Sequence, residues 1–283
     1  RGPLKMSWEF ATIYWREMLR FVRFRMSLMV SLIQPALWMA LYGAAMSSNF
    51  ARLGSGGAVP QGAEAVSYLT FMGAGVIALT TLFTSLFGGI SLLFDKNWGL
   101  MRELMASPMP RNHIILGMGL SGVTKSFIQV IVIMLFGLVI GVRFFSGYSL
   151  MQTAAAVLGV LLFVGVFSLG FLFLSSAISM SMDTPEGLQA VITLLSLPLF
   201  FASNALYPID SSPGIVRTLA TINPLTHLVN GVRYFAVGGD FYAIGVHYVY
   251  SSQEIAVSFL ALVGFAAAMF LVARRVFAKA VVT

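Results

Sequence analysis

Six apolar runs, each near the ~20 residues that a helix needs to cross a bilayer, divide this chain, and short polar segments separate them. They cover roughly residues 26–46, 68–94, 127–145, 152–180, 185–206 and 255–272. Gln34-Pro35 interrupts the first and predicts a kink with a freed carbonyl. Gly73, Gly75, Gly88 and Gly89 in the second let neighbouring helices approach closely, and Gly137 with Gly141 forms a GxxxG pair expected to pack inside one subunit. The third run follows a moderately apolar stretch, 112–125, whose Lys125 is either an interfacial side chain reaching water or a buried functional lysine. Thr184-Pro185 starts the fifth run with proline at the first helical position, and Pro198 interrupts it.

Two segments break the pattern of spans. Residues 6–25 place Glu9, Arg16, Arg20 and Arg23 on one helical stripe, with Phe10, Tyr14, Trp15, Met18 and Val22 opposite. That reads as an interfacial helix, unit 1–25, with its aromatics buried and its arginines toward anionic lipid; a soluble partner groove is the alternative. Between 207 and 250, Pro208, Pro213, Asn223-Pro224 and Gly238-Gly239 punctuate two short amphipathic helices, placed within 207–238. The second carries Leu225, Leu228, Val229, Val232 and Phe235 on one face. Too short to span, both are expected to dip into the outer leaflet or to cap the bundle.

Between the second and third runs lies a charged island, 94–111, with Asp95, Lys96, Arg102, Glu103 and Arg111. A short charged helix between two apolar spans must sit in water, and it is a surface on which something can dock.

Composition agrees with a bilayer. The chain of 283 residues is 58% hydrophobic and only 10% charged, with a mean hydropathy of +0.89, against about 25% charged residues in a soluble domain. The net charge of +7 does not point to nucleic acid, because the basic residues lie beside apolar runs. With the N-terminus inside, Arg16, Arg20, Arg23, Arg25, Lys96, Arg102, Arg111, Lys125, Arg274, Arg275 and Lys279 are cytoplasmic, against Arg52, Arg143, Arg217 and Arg233 outside. This puts the island, the acidic turn Asp183–Glu186 and both termini in the cytoplasm. Charges that continue to Arg25 exclude a cleavable signal in the residues given.

Chemistry is mostly excluded. There is no cysteine, and His113, His227 and His247 are too scattered for a metal site. Residues 119–126, GLSGVTKS, imitate a phosphate loop, but threonine stands where glycine must precede the lysine, so no nucleotide site is expected. The pairs Asp95 with Glu103 and Asp183 with Glu186 flank spans, where solvated charges are ordinary, and no acid-base catalysis follows. Ion-coupled carriers place ionisable residues within spans, and these six runs carry none in their interiors. Energy must therefore enter through a cytoplasmic part, which the island can supply.

The island, Phe94-Asp95-Lys96 through Gly99, Arg102-Glu103-Leu104, Ser107-Pro108 and Arg111, resembles the coupling segment of the membrane subunits of ABC-2 type transporters, bacterial and archaeal exporters of the daunorubicin-resistance type. Asn97-Trp98 departs from the charged residues usual there. A second likeness runs from Leu197-Pro198 through Tyr207-Pro208 to Asn223-Pro224 and Gly231-Val232-Arg233. The resemblance implies an all-α membrane protein: six transmembrane helices, an N-terminal interfacial helix, a cytoplasmic coupling helix and two short outer re-entrant helices, with 26–283 as one transmembrane domain. It implies that Asp95, Lys96, Gly99, Arg102, Glu103, Leu104, Ser107, Pro108 and Arg111 couple to an ATPase, with Asp183 and Glu186 as a second cytoplasmic contact. Pro198, Phe200, Phe201, Ser203, Asn204 and Pro208 become candidates for the translocation pathway or outer gate, or for ordinary packing. Expected partners are two cytoplasmic ABC ATPase subunits that carry ATP and Mg, a second permease copy or paralogue, and membrane lipids. No cofactor or metal is expected on this chain, and no enzymatic activity. The implied function is ATP-driven export of an amphipathic drug or lipid-like molecule across a prokaryotic cell membrane; the alternatives are a polysaccharide or glycolipid exporter and a non-transporting docking scaffold.

Overall fold

The computed structural model describes residues 9–43, 45–47, 65–107, 109–209 and 213–279, and within them the backbone is mostly helical. The elements are α1 (Glu9–Arg23), α2 (Arg25–Leu37), a wider π-turn (Trp38–Tyr42), α3 (Tyr68–Asn97), α4 (Leu100–Ala106), α5 (Arg111–Val139) and α6 (Leu150–Ser181). After these come α7 (Pro185–Phe201), α8 (Gly214–Ile222), α9 (Pro224–Ala236), β1 (Asp240–Ala243), β2 (Val246–Val249) and α10 (Ser252–Lys279).

Among the described residues four helices are long and apolar enough to cross a membrane: α3, α5 from Asn112, α6 and α10. The 17-residue α7 is apolar but shorter. In α2, Pro35 lies inside the helix and the π-turn begins at Trp38, so the missing donor is followed by a relaxed register where the sequence leads one to expect a kink.

Helix α3 is the central element. Its side chains Phe71, Met72, Ile77, Leu82 and Leu86 are fully buried in a core shared with α5, α6, α9 and the hairpin. The glycines explain how it packs so closely. A Cβ on Gly89 would collide with the Ser175 and Ser179 side chains of α6, and one on Gly75 would collide with the Ala205 carbonyl. The Gly89 N–H donates to Ser175 Oγ at 3.2 Å, and the same hydroxyl donates to the Leu86 carbonyl, so α3 and α6 meet backbone to side chain. A polar line also crosses the bundle: Thr84 Oγ1 donates to Gln129 Oε1, and Gln129 Nε2 donates to Ser31 Oγ at 2.9 Å.

Gly141 departs from the expected helix-packing pair. It follows the end of α5 at φ 97, where Val142 N–H reaches Gly137 O at 2.9 Å and Gly141 N–H reaches Leu138 O at 3.2 Å. This is a Schellman cap, a left-handed turn that glycine adopts without strain, and it ends the helix. A second departure from the all-helical expectation is the hairpin after α9. Asp240 pairs with Val249 and Ala243 with Val246 across the two-residue turn Ile244-Gly245, both residues at positive φ. Aromatic and β-branched residues on either side of a two-residue turn with glycine at its second position favour this over a helix. Val66 N–H donates to Tyr242 O at 2.8 Å, strapping the hairpin to the chain entering α3.

A smaller core closes the opposite end: Ile13, Leu92, Met101, Ile114, Ile115, Phe173, Met180, Ala273 and Phe277 bring α1, α4 and the ends of α3, α5, α6 and α10 together. Basic residues on these elements thereby gather at one end of the bundle.

Gly89→Val is expected to cost about 1–3 kcal/mol by overpacking the α3–α6 contact, read as a lower thermal midpoint of the detergent-purified protein. Gly264→Val on α10, where a Cβ meets nothing within 4 Å, is expected to leave the midpoint unchanged.

Candidate functional site

The charged island folds into two parts with different surroundings. Helix α3 ends at Asn97, and Gly99, at φ 79, turns the chain left-handed into the seven-residue α4. On α4, Met101 is buried and Leu104 half-buried against the smaller core, while Arg102 and Glu103 are exposed. Trp98 is 72% exposed and stacks on Phe94 with centroids 5.2 Å apart. Ser107 Oγ donates to Leu104 O at 2.7 Å and accepts from Met109 N–H at 3.4 Å, closing the segment. Pro108 and the side chain of Arg111 lie outside the described residues.

Asp95 lies apart from that exposed face. Its side chain is fully buried, and it accepts from Arg16 Nη2 at 2.6 Å and from Arg20 Nη2 at 2.8 Å. Buried Glu17 accepts from Arg16 Nη2 at 3.1 Å, Arg20 Nη1 at 3.3 Å and Lys125 Nζ at 3.2 Å. Three cations and two carboxylates thus tie α1 to α3 and α5. Arg16 and Arg20, expected to face lipid, turn inward instead, because a buried carboxylate requires charged partners. Lys125 likewise pairs with Glu17 and is only 17% exposed. Burial pushes the Glu17 carboxyl up, but Lys125, Arg20 and Arg16 more than reverse this and hold it below the ordinary value of 4.5.

Lys96 and Asn97 reach the other way. Lys96 Nζ donates to Met182 O at 2.8 Å, Asp183 Oδ1 at 3.0 Å and Met180 O at 3.3 Å, and Asn97 Nδ2 donates to Asp183 O at 3.1 Å. The acidic turn between α6 and α7 is therefore joined to the island through Asp183, whereas Glu186 lies exposed in the first turn of α7.

At the far end of α7, Phe200 is buried and packs edge-on to Trp38 at 6.4 Å and to Phe201 at 5.5 Å. Pro198 and Phe201 are exposed; Ser203, Asn204 and Pro208 are buried. Beside them a groove of about 270 Å³ is lined by Ile33, Gln34, Leu37 and Trp38. Among the described residues no three His, Asp or Glu side chains come together as a metal site.

Glu17 is missing from the set expected from sequence, although an acid set between Arg16 and Arg20 of an amphipathic helix was a usable signal. Sequence alone marks Arg233 only as an outer basic residue and as part of the second likeness, and does not single out Asn230.

Long apolar helices define a multi-pass membrane protein. Residues 9–236 match the family model described as ABC-2 type transporter, and the chain belongs to this family of transport permeases, which work with ABC ATPase partners. It is 30% identical over 234 residues to the transport permease ycf38 of Porphyra purpurea, covering 82% of this chain and 75% of that one. It is 23% identical to the daunorubicin resistance ABC transporter permease protein DrrB1 of Streptomyces coeruleorubidus, covering 87% and 81% of the two chains. Nodulation protein J of Rhizobium meliloti (strain 1021) is 23% identical, with 85% and 86% covered.

Glu17→Gln is expected to destabilise the fold by about 3 kcal/mol, because Lys125 loses its counter-ion, and the double change with Lys125→Met is expected to recover most of the loss in a detergent melt. Since the Glu17 pKa is lowered in the fold, its contribution is complete above the ordinary glutamate value and disappears as pH falls through the lower folded value. The wild-type midpoint should therefore drop more steeply than that of Glu17→Gln in scans below about pH 4.5.

Proposed function

We propose that this chain is the membrane subunit of an ATP-driven exporter that moves an amphipathic, drug-like or lipid-like substrate out of the cytoplasm or inner leaflet of a prokaryotic cell membrane. The carrying observation is the division of the island: α4 exposes Arg102 and Glu103 next to the exposed Trp98 ring, while Asp95 is locked into α1, which Glu17 and Lys125 join to α5, and Lys96 into the α6–α7 turn. A force applied to the exposed face is thereby delivered to four elements at once. Two cytoplasmic ABC ATPases, carrying ATP and Mg, seat α4 in a cleft, and Asp183 and Glu186 form a second contact.

Basic side chains favour the cytoplasmic side, so the end with α1, α4 and the end of α10 faces inward, with both termini, and the hairpin faces outward. Helix α2 with its π-turn, and α7, complete six spans with the four long helices; α8 and α9 are outer re-entrant helices. A second permease subunit, a copy or a paralogue, covers α2 and α7, whose exposed Ile33, Leu37, Leu194, Leu197 and Phe201 would otherwise stand open beside the groove. The name of the DrrB1 relative, a daunorubicin resistance permease, supports a drug-like substrate and outward transport.

Exchanging Arg102→Glu and Glu103→Arg in the assembled complex is expected to reduce substrate-stimulated ATP hydrolysis at least tenfold, with membrane insertion and ATPase association retained. Normal stimulation in an assembled complex would overturn the coupling role.

A further inference from the structure

Helix α9 hides a polar stripe. Asn223, its N-cap, and Thr226, Asn230 and Arg233 follow one another on one side, against the loop 202–208 that leaves α7. Asn223 Nδ2 donates to Leu199 O at 2.7 Å and Ala202 O at 2.9 Å, and Asn204 Nδ2 donates to Asn230 Oδ1 at 2.5 Å. Arg233 is the largest fully buried side chain among the described residues, and none of the carboxylates there pairs with it. Its Nη2 donates to Asn204 O at 2.7 Å and Ala205 O at 3.3 Å. The guanidinium carbon lies 3.6 Å from the Phe71 ring centroid and 5.8 Å from that of Tyr248 on the hairpin. Among the described residues Nε and Nη1 have no hydrogen-bond partner, and neither do Asn204 Oδ1 or Thr226 Oγ1.

A buried cation without a counter-ion is costly, and two carbonyls with one aromatic face compensate it only in part. Such an interface parts more readily than an apolar one, because water can satisfy every group the separation exposes. The loop it holds also lies directly on α3, with the Ala205 carbonyl against Gly75. Helix α3 thus carries Phe71 under Arg233 near one end and Asp95 under Arg16 and Arg20 near the other, about 36 Å apart at 1.5 Å per residue.

We propose that Arg233 is a positioning residue of the transport cycle: a latch that holds loop 202–208 shut against α3 and lets it go when α3 moves beneath it. The proposal rests on the topology proposed above, with the loop on the outer side. When α3 shifts at its Asp95 end, Phe71 leaves the guanidinium, the polar seam between α9 and the loop hydrates, and the exit opens beside Phe201.

The chain has no cysteine, so a single Ser203→Cys, at a position only 1% exposed, reports opening through its reaction with a membrane-impermeant thiol reagent. Val249→Cys, at a 58% exposed position on the hairpin, reports orientation separately. In intact cells Ser203→Cys is expected to react slowly, at least tenfold faster with Arg233→Met, which leaves the buried Asn204 and Ala205 carbonyls without their donor, and at an intermediate rate with Arg233→Lys, which keeps the charge and loses the planar stack. Asp95→Asn at the far end of α3 is expected to accelerate the reaction severalfold when Arg233 is present and to add nothing in Arg233→Met. An unchanged rate in Arg233→Met, or accelerations by the two changes that simply multiply, would overturn the latch; a merely structural arginine gives the latter. If Arg233→Met does not fold, Phe71→Leu removes the aromatic face instead and must give the same pattern. Failure of Val249→Cys to react in intact cells would contradict the orientation alone, and the same rate comparisons in inside-out vesicles then decide the latch.

Discussion

The structure depends on charge that has been taken out of water and must be matched there. Asp95 stands near the end of a largely apolar helix, and its buried carboxylate is tolerable only because α1 brings Arg16 and Arg20 to it. Glu17 in turn offsets the excess of cations by engaging Lys125 on α5. Removing Glu17 leaves Lys125 without its carboxylate, and removing Asp95 leaves Arg16, Arg20 and Lys125 to share Glu17, so α1 is held to the bundle by electrostatic pairing as well as by Ile13 in the smaller core. This makes the amphipathic first helix a working part of the island end.

Helix α3 then links the two ends of the molecule. Small residues let α6 and loop 202–208 rest directly on its backbone, and close contacts of that kind slide or rotate as rigid pieces more easily than they deform. Its two ends differ in character. Near Asp95 three cations are paired directly with two carboxylates; near Phe71 a lone guanidinium is held by carbonyls and a ring, with no carboxylate paired to it among the described residues. A node of direct ion pairs transmits force, and one without a counter-ion gives way, an asymmetry suited to a lever with a gate at its far end.

Much of this was legible in the residues. The long apolar runs, the proline disruption of α2, the glycines of α3 and the short helix after Gly99 follow from span length, hydrogen-bond loss and steric room. The partners of the charges were not legible. Helical periodicity puts Arg16 and Arg20 on one stripe but does not say whether lipid or Asp95 lies opposite, a choice made by packing against an element more than seventy positions away. The same holds for Lys125 and Glu17. The hairpin at Asp240–Val249 was hidden because four-residue strands give little alternation, and Gly141 was misread because a cap and a helix contact share the same glycine spacing.

The claim on which the rest turns is that the exposed face of α4 meets an ATPase and passes its motion to the bundle. The most direct measurement places a photo-reactive phenylalanine analogue at Trp98 in the transporter complex and identifies what it captures on illumination, with Val249 as the control position. Capture of the ATPase from Trp98, altered by ATP and absent from Val249, is the predicted result. No ATPase captured from Trp98, in a complex that hydrolyses ATP and transports, would contradict it.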